Sequence, residues 1–388
     1  MSHLNRMFVS KTRSSPCNSN NEDRSRNDNT SRVSVTVSAS LKGFSGMGIQ
    51  QQNPPARDKH YHQQYQEQQR RRWNADEVTN DDDDDQDQEQ QETQTDWEHY
   101  CSSLTLDKVL KLGLLCVNYI IRNQEQVSAA KKLKKFRSHF GVGPAAVVAF
   151  IKDLPTQEGN NFLLHDFFMA LSFAKSYNTR EVHGDNWNMC ADKVKKNVER
   201  YFKKLQSMKN KKIYIGGFKD DTEYVYTIDG VHMSTRENRI NPTSKVYSHK
   251  FNGPGITYEV GIAIWESRLL WIKGPFVAST HDAKMCRSDG GVNDEKLQGK
   301  RGVGDSAYKK IPSMTVHREG HSKEMTNFIN RVRARHESFY NKIKVFGILA
   351  HKFRGSWNKS EEHNKIFFEG LAVLVQYDME NGHPLMEA

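Results

Sequence analysis

The 388 residues predict a mixed α/β protein in which a helical region precedes a domain of strands and interleaved helices, all behind a long polar tail. Three observations carry that prediction. Apolar residues make up only 36% of the chain, below the 45–50% usual for a packed protein, so part of it has too little to bury. From 104 to 208 the apolar residues recur at helical spacing. After 211 they gather into β-branched and aromatic runs set between turn residues. At about 150 residues per domain the length allows two to three domains.

Residues 1–100 form the expected tail. Ser, Asn, Arg and Gln dominate, followed by five aspartates at 81–85 and another Gln/Glu run. Such a composition does not offset the entropy of ordering. Arg6, Lys11 and Arg13 among serines at the start read as a transit peptide or, more plainly, as a disordered leader without an amphipathic helix. Arg70, Arg71 and Arg72 are part of a nuclear import signal or a solvated cluster. The aspartate run is a solvated linker or an acidic mimic of DNA. Net charge is +10 for the chain, but −5 over 1–100 and +15 over the rest. A cationic folded part fits a polyanionic partner. The longest apolar run, 114–121, is far too short to span a bilayer, so no membrane partner is expected. Five cysteines without a Cys-x-x-Cys pair exclude a disulfide scaffold and a zinc ribbon.

Residues 101–210 are expected to be helical. Leu104, Leu106, Val109, Leu110, Leu112 and Leu115 begin an apolar face that continues through Val117 and Ile120. A second helix covers 127–140, ended by Gly141-Val142-Gly143, and Pro144 suits the first position of the next, 145–154. Helix, glycine turn, helix is the pattern of a DNA-docking helix-turn-helix, and equally of an ordinary bundle. Helices at 163–177 and 190–208 follow. The second carries Lys193, Lys195, Lys196, Arg200, Lys203 and Lys204, candidates for phosphate contact.

Residues 211–388 read as the mixed domain. Strands are expected at 213–215, 224–228, 256–264 and 269–272, with a helix near 282–287 and a Gly-rich charged loop over 288–303. A long helix covers 323–346 and is closed by Gly347; the last helix runs from Ser360 to about Glu380. Asp229 directly follows an apolar strand, an unusual place for a carboxylate that is neither paired nor metal-bound. Asp305 follows Gly302-Val303-Gly304. In the long helix Met325, Ile329, Val332, His336, Phe339, Ile343 and Phe346 form one stripe, and Glu337 lies at its edge. Two strand-end aspartates and a helical glutamate are hard oxygen ligands of the kind that hold two divalent cations for phosphoryl transfer. Other constellations are weaker: His317 and His321 flank Gly320 with no third ligand, Cys190 and Cys286 have no identifiable base, and Tyr258, Trp265 and Trp271 suit a sheet better than a base-stacking platform.

Six strings occur in order: 228–237 (IDGVHMSTRE), 246–255 (VYSHKFNGPG), 258–264 (YEVGIAI), 273–283 (KGPFVASTHDA), 304–308 (GDSAY) and 335–341 (RHESFYN). Together they resemble the DDE endonuclease domain of PIF/Harbinger-type transposases and their domesticated relatives. The resemblance covers about 211–388, and 136–154 (FRSHFGVGPAAVVAFIKDL) with the helices after it looks like the family's helical N-terminal part. It implies an RNase H-like fold and an Asp-Asp-Glu triad of Asp229, Asp305 and Glu337, serving as catalytic residues and ligands of two Mg²⁺ or Mn²⁺ ions. His232, Asp282, His336 and Asn341 are implied as supporting residues, with Asp282 the runner-up for the second acid. Arg333 and Lys344 join the basic helix as DNA contacts. The implied activity is a nuclear, metal-dependent DNA transposase or endonuclease. It would act on transposon ends and target DNA as a homo-oligomer beside a Myb-like accessory protein. The other outcome is a domesticated, catalytically silent DNA-binding or scaffold protein. Two features depart from the family pattern: the stretch 299–303 before Asp305 holds one apolar side chain, and Ala307 stands where glycine is common.

Overall fold

A computed structural model describes residues 96–119, 127–159, 161–218, 222–236, 244–250, 252–354 and 360–388. The described residues belong to one compact unit spanning 82–388. The expectations for the leader, for Arg70–Arg72, for the aspartate run and for Ile120 lie outside them. The chain is already helical over 96–103, where Trp97 is buried against Gly159 and Phe162, a few residues before the expected end of the tail.

Besides the helical segment 96–103 and two single turns, Thr156–Gly159 and Lys209–Lys212, the described first half is built from helices α1 (Leu106–Cys116), α2 (Ala129–Phe140), α3 (Pro144–Asp153), α4 (Leu164–Ser176), α5 (Arg180–Trp187) and α6 (Ala191–Ser207). Caps explain their starts. Thr105, Ser128 and Thr179 each accept a backbone N–H from the first turn. Gly141 ends α2 in the left-handed region at φ 80°, where a side chain would be strained and would also strike Phe346. The apolar face of α1 differs from the expected one. Val109, Leu110, Gly113 and Leu114 are buried, whereas Leu106 and Leu115 are exposed. Gly113 decides this, because the Phe136 ring lies where its Cβ would stand. The short α5 was not expected; Gly184 inside it makes room for the Met189 carbonyl.

The second half is a mixed sheet. Its strands are β1 (Tyr224–Ser234), β2 (Tyr247–Ser248), β3 (Gly253–Ala263), β4 (Leu269–Val277), β5 (Arg301–Gly304) and β6 (Met314–Val316). Across the sheet the order is β4–β3–β1–β5–β6, antiparallel from β4 to β1 and parallel from β1 to β6; β2 pairs with the start of β3. The expected strand at 213–215 does not form, although Ile213 and Ile215 are buried. Helices α7 (Asp282–Cys286), α8 (Lys323–Ile343) and α9 (Ser360–Glu380) complete the domain.

Alternation along β1 separates two cores. Tyr226 and Ile228 pack with Trp271, Cys286, Leu297, Tyr308 and Met314 on one face. Val231 and Met233 join Tyr258, Val260 and Ile262 on the other, in a large core that also holds α3, α4, α6 and α9. The core therefore runs across the change of texture at 211. Helix α9 is its centre: nearly every side chain from Phe368 to Met379 is buried, and Phe368 stacks on Tyr258 at 3.9 Å between ring centroids. Apolar burial at about 25 cal/mol per Å² is what holds such a helix on its neighbours. Two carboxylates are buried with it, Glu369, paired with Lys209 at 2.5 Å, and Asp378. Asp378 accepts two bonds from Arg137 at 2.7 and 2.9 Å and one from the Gly143 N–H at 2.9 Å. That carboxylate ties the turn between α2 and α3 to α9. Along α3, Lys152 is the one exposed side chain, so this helix is packed against its neighbours along most of its length.

Candidate functional site

Strands β1 and β5 are parallel neighbours, with Thr227 opposite Val303. Two residues further on stand Asp305, just past the end of β5, and Asp229, which lies in the middle of β1 and pairs with Val260 because the strand, expected to end at 228, runs on to Ser234 beside β3. Asp305 is the first residue past β5 and caps the turn 306–308, its Oδ1 accepting the Ala307 N–H at 2.9 Å. Ala307 in place of glycine leaves that N–H available. Asp229 Oδ1 accepts from the Gly230 N–H at 2.8 Å.

Strand β5 forms although its sequence is poor in apolar side chains. The reason is lateral. A Cβ on Gly302 would lie 2.0 Å from the Tyr226 ring, and one on Gly304 would lie 2.8 Å from Tyr308 and Met314. The glycines are seats for large neighbours, so the apolar volume comes from β1, β6 and the turn after β5.

Asp282, the first residue of α7, reaches the neighbouring Gly230 from the opposite face of the sheet. Its Oδ1 occupies the space over Gly230, 2.9 Å from where a Cβ would stand. Burial raises the pKa of its carboxyl above the ordinary value; Asp305 and Asp229 raise it further, against Lys250. Three aspartates thus share one electrostatic environment.

Helix α8 lies under this part of the sheet. Ile329, Val332, His336, Phe339 and Ile343 are buried as the stripe required, together with Arg335 and Tyr340. The helix ends at Ile343, and Gly347 opens a further helical turn instead of closing this one. Glu337 is exposed. Tyr340, one turn later, is buried with its hydroxyl against the Asp229 carboxylate and no well-formed hydrogen bond. Burial, then Asp229, pushes its pKa well above the ordinary range. His336 is buried with neither ring nitrogen in a formed bond, and burial drops its pKa to about 4 although Asp229 pulls the other way. His232 is likewise held down to about 4 by burial and Lys250; its Nδ1 lies 3.1 Å from the Thr257 hydroxyl and 3.3 Å from that of Ser248. Both histidines are therefore neutral near pH 7. Asn341 lies on the wall of a cleft of about 320 Å³ with Arg137, Ser338 and Lys342.

The basic helix is divided. Lys195, Lys196 and Lys203 are exposed on α6, and Lys193 is half-buried. Lys204 is bound to Glu158 at 2.7 Å, and Arg200 lies over the Tyr201 ring, 3.5 Å from Asp166. Arg333 and Lys344 are exposed on and just after α8.

Tyr340, Tyr308 and Lys250 were not foreseen. The signal was available, since all three lie inside the strings 335–341, 304–308 and 246–255. Of the other candidates, Cys286 is buried with its thiol pushed up to about 12, and Trp265 caps the Tyr224 carbonyl while stacking on Phe328. Among the described residues no group of three or more His, Cys, Asp or Glu side chains is placed to hold a metal ion, and no helix is long and apolar enough to cross a membrane.

The fold and the site define a mixed α/β protein with aspartates where the parallel pairing of β1 and β5 ends. No family model, no curated protein and no solved structure matches the chain.

Proposed function

We propose that the chain is a DNA-cleaving and DNA-joining enzyme of the DDE type, with an RNase H-like domain over 211–388. The pairing of β1 with β5 supports the reading, because with Thr227 beside Val303 it brings Asp229, in mid-β1, and Asp305, just past β5, to neighbouring positions, as two acids of the implied triad require. The mixed sheet flanked by helices supports the fold assignment.

The donor set suits a hard cation. Carboxylate oxygens are the ligands Mg²⁺ prefers, and Mg²⁺ commonly takes one or two carboxylates and fills the rest of its shell with water and phosphate. The mutual repulsion of the aspartates is relieved by a cation. Asp229 and Asp305 would hold it, with Glu337 as the third ligand implied by the resemblance. Held there, divalent ions would supply charge stabilisation for an in-line phosphoryl displacement. The chain's own residues do the remainder. Tyr340 and His336, uncharged, floor the site beneath Asp229. Lys250, Lys344 and Arg333 offer positive charge to the DNA backbone. In cleavage, water attacks phosphorus and the 3′ oxygen leaves, giving a 3′-hydroxyl and a 5′-phosphate. In joining, that hydroxyl attacks a phosphorus of target DNA and displaces its 3′ oxygen. Nuclear location, a Myb-like accessory protein and a homo-oligomer belong to this reading.

The test is nicking of supercoiled plasmid by the full chain with Mg²⁺ or Mn²⁺, with EDTA, and with Asp305→Ala. Metal-dependent nicking lost in the variant supports the reading; nicking that survives Asp305→Ala refutes it. A second reading, a silent DNA-binding or scaffold protein, has its own observation: Asp229 and Asp305 are each already engaged by a backbone N–H. It predicts salt-sensitive DNA binding that EDTA leaves unchanged, with no nicking.

A further inference from the structure

We propose that the cleft between α4, α5, α6 and the start of α9 is a nucleoside-phosphate site, with the base on its apolar floor and the phosphate at an arginine rim. The cleft holds about 370 Å³, within the range of pockets that take a small organic ligand. None of its lining residues belongs to the aspartate site, so the inference goes beyond the reading above and does not rest on it.

The floor is carbon. Phe173, Val198, Ile348 and Phe353 are buried there, and Phe367 is half-buried. Such a floor suits a flat ring, and stacking accepts any base because every base has a π-face. The cleft is open to solvent on one side. A long acyl chain lying in it would leave much of its apolar area in water, which a short flat ring does not.

The rim is cationic, with Arg180, Lys195, Arg236 and Arg354. Arg354 is fixed in place by neutral groups. Its guanidinium donates to the carbonyls of Tyr177 and Asn178 and lies over the Tyr177 ring, 4.0 Å from its centroid. Its backbone N–H donates to the Tyr177 hydroxyl at 2.6 Å. The backbone N–H of Arg236 donates to the Phe353 carbonyl at 3.3 Å, so Arg236 and Arg354 both stand next to Phe353. Arg180 opens α5 just after the Thr179 cap. Among the described residues none of these four cations has a carboxylate within ion-pair distance. Of the two acids on the lining, Glu199 has His363 at 3.3 Å and Glu181 is exposed. The cleft beside Asn341 differs on this point, because its Arg137 is already answered by Asp378. Guanidinium forks match the several oxygens of a phosphate. Here they stand beside the apolar floor with their charge unspent.

The experiment is equilibrium dialysis of the full chain against AMP, adenosine, inorganic phosphate and laurate, with a single-stranded hexanucleotide as competitor. AMP should bind saturably, and more tightly than adenosine or phosphate. Arg236→Glu and Arg180→Glu, both at exposed positions, should leave the melting temperature unchanged and weaken AMP about 10- to 100-fold, the worth of a hydrogen bond to a charged group. Adenosine should bind these variants as it binds the natural chain. Lys131→Glu, an equal change of charge on α2, should leave AMP binding intact. Displacement of AMP by the hexanucleotide makes an unpaired strand the source of the ligand; AMP binding that the hexanucleotide does not disturb makes it a free nucleotide. Both support the site. An equal loss of AMP binding with Lys131→Glu reduces the effect to general cationic attraction and overturns the proposal. So does laurate bound in the cleft and not displaced by AMP, or the absence of saturable binding by both AMP and the hexanucleotide. Nicking is not read in any arm, so this proposal and the function reading fail separately.

Discussion

Replacing Asp378 by alanine should destabilise the protein more than any surface change, and the size can be worked from its contacts. Its side chain is 3% exposed and accepts both guanidinium nitrogens of Arg137 and the Gly143 N–H. Removing one partner of a buried ion pair costs about 3–5 kcal/mol, because the other charge is left unpaired. Arg137 keeps 28% exposure, so water recovers part of that and lowers this share to about 2 kcal/mol. The orphaned Gly143 N–H adds about 1 kcal/mol. The sum, about 3 kcal/mol, corresponds to a fall in Tm of roughly 5 °C or more for a folded part of this size. Urea unfolding followed by circular dichroism measures it. Asp378→Asn retains an acceptor for Gly143 and should lose about half as much. Arg137→Met with Asp378→Leu should cost less than the two single changes added together, since the pair then disappears as a unit. A loss below about 1 kcal/mol in Asp378→Ala, or strict additivity in the double variant, would refute the argument.

Two further outcomes are expected. Gly302→Ala pushes a methyl into the buried Tyr226 ring, 2.0 Å away; it should cost about 1–3 kcal/mol and abolish nicking, because Asp305 lies three residues along. An unchanged Tm would sink that account. Stability should also decline as pH falls from about 7.5 to 5.5. Burial lowers the folded pKa of His139, His183 and His383 below the ordinary 6.5, so the unfolded chain binds more protons in that window and gains on the native state. A Tm that is flat or rises on acidification over that window contradicts this.

The helices and strands that a local pattern dictates were legible. Helices α2 and α8 declared themselves by caps and by a stripe, and β1 and β3 by β-branched runs. Strand β5 and the true face of α1 were hidden for one shared reason. Glycine contributes no apolar character to a pattern, yet Gly113, Gly302 and Gly304 are where large rings from distant segments sit. A one-dimensional reading counts such positions as weak when three-dimensional packing makes them close approaches. The acids were visible singly. That Asp229 and Asp305 come to neighbouring positions depends on β1 pairing parallel with β5, a contact across more than seventy residues. Asp282 approaches Gly230 from the far face, and the vacancy above that residue has no counterpart in the string IDGVH except the glycine itself. The basic helix shows the converse: Lys204 and Arg200 look free in sequence, but Glu158 and Asp166 wait for them in the fold.

The position of α9 bears on how the protein is made. It is the last of the described elements to leave the ribosome, yet it supplies the middle of the core shared by the helices and the sheet. Until residue 380 has emerged, α3, α6 and the inner sheet face carry apolar surface with nothing to cover it, and the Asp378 anchor for the α2–α3 corner does not exist. Completing that core therefore brings α9 onto α3 and α6, far earlier in the chain, a slow, long-range closure. A chain cut short before Ser360 would be a sticky, half-built body that invites aggregation and chaperone capture, with neither the helical half nor the sheet able to finish alone.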